Sequence, residues 1–115
     1  MHKNIYSLNP VIEKNCHGGE GEIQFRRLFE KNSFETKIDF IDFSIIPPNS
    51  TIGYHAHSNN EEIYFILEGE GEMIVNGTEF LVKKGDIVIN SQYSSHGLRN
   101  IGSKDIKLLV FQVSN

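Results

Sequence analysis

Turn signals recur roughly every eight to twelve residues along this chain, and they separate about nine short runs of alternating or continuous apolar residues. Asn76-Gly77 is the strongest hairpin signal. Pro47-Pro48 ends another run, because proline lacks the N–H donor that a strand ladder needs. No stretch shows a convincing helical period. The sequence therefore predicts an all-β protein, either a sandwich or a barrel.

The predicted strands lie in a single domain that follows an irregular N-terminal segment. At 115 residues the chain has the length of one domain. Residues 1–22 show little periodicity, and we expect an N-terminal arm and loop there, with residues 23–115 as the barrel. The arm can add an edge strand or lie on a neighbouring chain. The predicted strands cover residues 23–29, 37–46, 51–57, 62–67, 73–75, 78–82, 87–89, a run beginning at residue 96, and residues 106–113.

The run Glu62–Leu67 is apolar on both faces of its predicted strand. If Glu62 points inward, Tyr64 and Ile66 share its face. The opposite face then carries Ile63, Phe65 and Leu67. A strand that is apolar on both faces needs cover on both sides. We therefore expect a homodimer packed through such strands, with cover by the N-terminal arm as the alternative.

Charge and composition exclude several classes of partner. The chain has 11 Lys and Arg against 15 Asp and Glu, a net charge of -4, and no basic cluster, so we expect no nucleic-acid partner. No apolar run approaches the roughly 20 residues of a membrane span, and Met1–Pro10 lacks the core of a secretion signal. We expect a cytoplasmic protein without a membrane partner. The single cysteine, Cys16, fits a reducing compartment.

The sequence His55-Ala56-His57 gives the first indication of a metal site. Side chains two residues apart on a strand point to the same side, about 7 Å apart along the backbone. The polar segment 58–61 can turn the chain, and we expect the strand that begins near Glu62 to lie beside the first one. Glu61 would then face the other way. This pattern alone is weak, but a further histidine, His96, follows a turn at Gly85-Asp86 and a short apolar strand.

Together these two segments resemble the two motifs of the cupin family, over about residues 38–113. The first motif is matched by Gly53, His55, His57, Glu62 and Gly69, and the second by Gly85, His96 and Asn100. The resemblance implies a double-stranded β-helix, or jelly-roll, barrel. It also implies four metal ligands: His55, His57, Glu62 and His96.

The chain departs from the family pattern at two places. Ser91-Gln92-Tyr93 stands where the second motif usually has Pro-x-Gly, so the bend can differ in shape and Tyr93 can enter the pocket. Gly53 is also closer to the histidine pair than the usual glycine of the first motif. It is therefore an approximate match.

Three imidazoles and one carboxylate suit one divalent first-row transition metal per chain, and the residue types leave its identity open among Mn, Fe, Co, Ni, Cu and Zn. An octahedral ion would keep two positions open for substrate or O2. A structural zinc is usually closed by four ligands, often thiolates, and this chain lacks a thiolate set. The alternative is a metal-free cluster of hydrogen-bonded side chains.

The resulting functional hypothesis is a metal-dependent enzyme of the cupin type, which would be an isomerase, lyase, decarboxylase or dioxygenase acting on a small oxygen-rich metabolite. Tyr64 and Tyr93 are the candidate acid/base or orienting groups, with a role in the pocket wall as the alternative for each. The alternative function is a non-catalytic module that binds a metabolite or sugar. The wall is predicted to contain Tyr64, Ile66, Val88 and Leu98.

Other polar residues are open to two interpretations. Arg27 either shares the barrel face with the phenylalanines of its strand and needs a carboxylate partner, or extends to solvent along its stem, which we favour. An inward Arg27 or Arg99 would favour an anionic ligand. Cys16 is disfavoured as a ligand or nucleophile because it precedes a flexible Gly18-Gly19 loop, and His2 and His17 are not expected to be ligands.

Overall fold

The computed structural model of the protein describes all 115 residues, Met1–Asn115. It contains ten β-strands and two single 3-10 turns, Cys16–Gly18 and Lys31–Ser33. Neither turn has the length or apolar content that a membrane-crossing helix requires. The strands are β1 Val11–Lys14, β2 Glu22–Glu30, β3 Ile38–Ile46, β4 Thr51–Ala56, β5 Asn60–Glu68, β6 Glu70–Val75, β7 Thr78–Lys83, β8 Ile87–Asn90, β9 Ser95–Arg99 and β10 Ile106–Ser114.

The strands form two antiparallel sheets. One has six strands in the order β1-β2-β3-β10-β5-β8, and the other has four in the order β4-β9-β6-β7. This architecture confirms the predicted all-β, jelly-roll barrel. The tenth strand is β1, which lies at an edge of the larger sheet, as one of the two alternatives for the N-terminal arm predicted.

The connection between β4 and β5 crosses from one sheet to the other. The expectation that the strand of Glu62 lies beside the strand of His55 is therefore wrong: β4 pairs with β9, whereas β5 pairs with β10 and β8. Glu62 therefore meets His55 and His96, which are neighbours on the four-stranded sheet, across the barrel interior.

The inward side of β5 shows how the barrel is divided between core and site. Ile66 is fully buried in the apolar core, which also contains Leu108 and Ile106. Tyr64 follows on the same face, and Glu62 comes next. Every second residue of β5 faces inward, and this series of residues runs from the filled end of the barrel to the end that contains a cavity.

The N-terminal arm covers part of the outer face of the six-stranded sheet. The Tyr6 ring packs edge-on against Phe43 with centroids 6.3 Å apart, and Nε of Arg26 donates a hydrogen bond to the Leu8 carbonyl at 2.7 Å. The other end of this face stays open, and Ile87 and Ile89 of β8 are 60% and 61% exposed. The arm therefore provides only part of the predicted cover.

Candidate metal centre

Four side chains from both sheets converge at the cavity. His55 lies on β4, His57 directly after it, Glu62 on β5 and His96 on β9. Their candidate ligand atoms all lie within 4.8 Å of one another. We call His55, His57, Glu62 and His96 the four-ligand group. The structure thus brings together all four residues that the sequence pattern singled out.

The distances inside the four-ligand group fit a single ion. Oε1 of Glu62 lies 3.2 Å from Nε2 of His57 and 3.2 Å from Nε2 of His96. Imidazole and carboxylate ligands bind an ion such as zinc at about 2.0–2.2 Å, so two ligands at right angles lie about 3 Å apart. These two donor pairs therefore have the spacing that one transition-metal ion requires.

Two hydrogen bonds orient the histidines of the first motif. Nδ1 of His55 donates to the Gly53 carbonyl at 2.7 Å, and Nδ1 of His57 donates to Oδ1 of Asn60 at 2.7 Å. With the proton on Nδ1, each ring has its lone pair on Nε2. These partners therefore prepare both rings for a ligand role.

His57 and Glu62 present two acceptors to each other in this arrangement. Nε2 of His57 is buried and has no hydrogen-bond donor, and it faces the Glu62 carboxylate. Two lone pairs at this distance repel unless a proton or a cation lies between them. This orphaned nitrogen is the strongest structural indication that the group can hold a metal ion.

The electrostatics of His55 favour the same role. Burial lowers its pKa to about 4, an effect that the hydrogen bond to Gly53 opposes and the neighbouring imidazoles reinforce. The ring is therefore neutral at neutral pH, as a metal ligand must be.

The cavity beside the four-ligand group has a volume of about 320 Å³. Tyr64 lines it as predicted, but Ile66, Val88 and Leu98 do not. They pack in the filled end of the barrel or against it, since the cavity begins further along the strands. The apolar wall consists instead of Ile23, Phe25, Phe40, Ile52 and Val110. Most of it comes from β2, β3 and β10, strands for which sequence reasoning assigned no wall residue.

The two tyrosines differ completely in position. Tyr64 is buried, and its hydroxyl lies within hydrogen-bond distance of Nε2 of His96, at 3.3 Å. Burial raises the pKa of Tyr64 well above its ordinary value, so the hydroxyl stays protonated.

Tyr93 is 74% exposed and does not line the cavity, so the expectation that it enters the pocket is wrong. Its φ of 60°, at the position where the motif usually has glycine, belongs to a bend that leaves the side chain in solvent.

Arg27 combines features of the two interpretations, because its side chain is 44% exposed and it also has a carboxylate partner. Its Nε and Nη2 donate to the two carboxylate oxygens of Asp42, at 2.7 and 3.0 Å, and both residues line the cavity. The hydrogen bonds that Arg27 donates to Asp42 raise the pKa of Arg27, although burial opposes the change. β2 and β3 pair these two residues directly in register. Arg99, by contrast, pairs with Glu72 away from this cavity.

The turn Cys16–Gly18 contributes residues that sequence reasoning gave no role. The His17 ring stacks on His55, with centroids 3.6 Å apart and planes 10° apart. Cys16 is buried and lines the cavity, and burial, followed by a hydrogen bond with Glu13, raises its pKa to about 12. It is therefore a thiol at neutral pH. Neither residue belongs to the four-ligand group.

Comparison with known proteins identifies related chains. Residues 42–112 match the profile of the family described as Cupin domain. An oxalate-binding protein of Thermotoga maritima is 33% identical over 102 residues, which cover 89% of this chain and 84% of that protein. The crystal structure of a predicted oxalate decarboxylase from T. maritima superposes with a TM-score of 0.97 at 30% identity, covering 100% of both chains.

A relative with an enzymatic name matches over a shorter region. The 5-nitrosalicylic acid 1,2-dioxygenase of a Bradyrhizobium species is 35% identical over 71 residues, 62% of this chain and 34% of that enzyme. The related proteins therefore include one named for binding and one named for catalysis.

Proposed function

This chain belongs to the cupin family, and from that premise we propose that it holds one divalent transition-metal ion and acts on a small, oxygen-rich carboxylate. The metal ligands in this proposal are the members of the four-ligand group. Oxalate is the first compound to test, because the T. maritima relative is named for binding it.

The observation that carries the proposal is the orphaned Nε2 of His57, which faces the Glu62 carboxylate at 3.2 Å inside an open cavity. A site built only to stabilise the barrel would have its acceptors paired with donors. Here the unpaired acceptors adjoin a space large enough for a small metabolite. Ion binding and ligand binding are therefore expected at one place.

The residues around the site have distinct roles in the proposed reaction. A bound divalent ion supplies a Lewis acid for a carboxylate or carbonyl oxygen of the substrate. Tyr64 keeps its proton at the hydroxyl, beside His96, and is able to donate it. The apolar wall reduces the local dielectric constant and so strengthens these polar interactions. Tyr93 has no part in this proposal.

Metal and turnover measurements on the intact chain test the proposal together. We expect a metal-to-chain ratio near one by elemental analysis after loading with Mn, Fe, Co, Ni, Cu or Zn. We also expect calorimetry to detect binding of oxalate by the metal-loaded protein but not by the chelator-treated protein.

Conversion of oxalate and a proton to formate and CO2 would establish decarboxylase activity. Stoichiometric binding without product across a panel of carboxylates would favour the alternative, a non-catalytic binding module. No bound metal with any of these ions would contradict the proposal.

The open end of the six-stranded sheet supports a second proposal, a homodimer. Two cross-strand rows of apolar residues lie on its outer face, in register from β8 through β5 to β10. They are Ile87, Phe65 and Leu109 in one row, and Ile89, Ile63 and Phe111 in the other. Ile87 and Ile89 are exposed and the other four are half-buried, and a contiguous, partly exposed apolar surface of this kind is typical of an association site. A second copy of the same face offers matching apolar rows about a two-fold axis.

Charged substitutions on β8 test the dimer. We expect the double variant Ile87→Lys/Ile89→Lys to be monomeric in sedimentation or light-scattering measurements at concentrations where the unchanged chain is dimeric, because two ammonium groups would be buried at the interface. Leu81→Lys is the matched control, since Leu81 is 71% exposed but lies on the other sheet. A monomeric unchanged chain, or a dimer that survives the double substitution, would exclude this interface.

A further inference from the structure

One wall of the cavity carries a charged pair that the proposed metal chemistry does not use. Arg27 on β2 and Asp42 on β3 are cross-strand partners, and both side chains line the cavity. Arg27 is the only lysine or arginine among the lining residues. The pair lies on different strands from the four-ligand group. The cavity therefore has a second polar region apart from the candidate metal ligands.

Arg27 retains unused hydrogen-bonding capacity in this position. A guanidinium has five N–H donors. Asp42 accepts one bond from Nε and one from Nη2, and Arg27 makes no other hydrogen bond. Three donors remain, and two of them, one on each Nη, form a parallel pair. Such a pair matches the two oxygens of a carboxylate.

The guanidinium is also held in place before any ligand binds. It lies over the Phe40 ring, 4.1 Å from the centroid, and Asp42 fixes one edge of its plane. The side chain is 44% exposed, whereas that of Asp42 is 10% exposed. Asp42 thus anchors the arginine from within the wall, while the remaining donors are accessible. A preorganised fork of this kind loses little entropy when it binds an anion.

We propose that Arg27 binds a second carboxylate of the ligand, distal to the oxygens that contact the metal site. This inference rests on the proposed function and narrows its substrate class to dicarboxylates that have a chelating end, such as a 2-oxo acid. Asp42 and Phe40 are positioning residues for Arg27. The neutral charge of the Arg27–Asp42 pair means that recognition comes from the directed donors and not from a long-range field.

A matched pair of ligands tests this inference on the metal-loaded chain. 2-Oxoglutarate and 2-oxopentanoate have the same chelating end and chain length, and differ in a terminal carboxylate or methyl group. We expect the unchanged protein to bind the diacid at least about tenfold more tightly in calorimetry, since a charge-assisted bidentate bond is lost with the methyl group. In Arg27→Met this preference should disappear while the metal-to-chain ratio stays near one.

Two further variants test whether the preference for the diacid depends on the guanidinium of Arg27. Arg27→Lys keeps a cation beside Asp42 but has no fork, so we expect a smaller preference for the diacid and a folded protein. Arg99→Met removes an arginine that pairs with Glu72 away from this cavity, and it should leave the preference unchanged. Equal, metal-dependent binding of both acids by the unchanged protein would overturn the Arg27 subsite but leave the proposed function intact. A preference that survives in Arg27→Met would also overturn the subsite. Absence of metal-dependent binding of either acid would overturn both.

Discussion

Glu62→Ala is expected to reduce the metal-to-chain ratio from near one to below about 0.1 after buffer exchange, whereas Glu61→Ala should leave it unchanged. Loss of an outer-shell partner already costs about 10–100-fold in metal affinity, and loss of a direct ligand should cost at least as much. The two carboxylates are adjacent in sequence but alternate across β5. Glu62 is buried beside His57 and His96, while Glu61 is outside the four-ligand group and does not line the cavity.

The pair of variants also tests the register of β5. A one-residue shift would exchange the faces of the two glutamates. Metal loss in Glu61→Ala with retention in Glu62→Ala would therefore contradict the register in which Tyr64 and Ile66 point inward with Glu62. His57→Ala should reproduce the effect of Glu62→Ala, because it removes the imidazole whose Nε2 faces that carboxylate. Circular dichroism of each variant separates metal loss from unfolding.

Short-range patterns in the sequence predicted the all-β class and the His55/His57 pair, and the motif resemblance supplied the jelly-roll barrel and the complete four-ligand group. Alternation fixes which residues of β5 face inward, and two histidines separated by one residue project to the same side. The motif resemblance then related His96 to them across a long separation. None of this required knowledge of how the two sheets face each other.

The predictions that were wrong or incomplete concern features that depend on tertiary structure. The crossing of the chain after His57 places Glu62 opposite His55 instead of beside it, and local turn signals contain no information on that choice. The position of Arg27 was predicted only in part, because its partner Asp42 lies on another strand and is brought beside it by the β2–β3 register. Tyr93 was misplaced because its backbone conformation, with a φ of 60°, is one that a non-glycine residue rarely adopts.

Gly53 is a further residue whose role became clear only from tertiary contacts. A Cβ atom built on it would lie 2.2 Å from the His17 carbonyl oxygen and 2.7 Å from the Gly19 nitrogen. The turn that carries Cys16 and His17 therefore rests directly on β4. The Gly53 carbonyl also accepts the Nδ1 proton of His55. This single glycine thus links the turn to the orientation of a proposed metal ligand.

Gly53→Ala is expected to destabilise the protein by about 3 kcal/mol, because the added methyl group meets backbone atoms that cannot move independently. This corresponds to a decrease in Tm of roughly 10 °C for a domain of this size. We also expect weaker metal binding, since displacement of the turn removes the His17 ring from its stack on His55. Thermal unfolding of the metal-free chain and metal titration of the folded variant measure the two effects separately.

Gly102→Ala is the matched control for this substitution. The nearest atoms to a Cβ at Gly102 are Oδ1 of Asn100 at 3.6 Å and the Glu70 carbonyl oxygen at 3.9 Å, which are ordinary contact distances. The free energy of unfolding of Gly102→Ala should differ from that of the unchanged chain by no more than about 0.5 kcal/mol. Equal Tm values for Gly53→Ala and Gly102→Ala would show that the turn does not press against β4. Destabilisation without any change in metal affinity would show that the turn supports the barrel but does not orient His55.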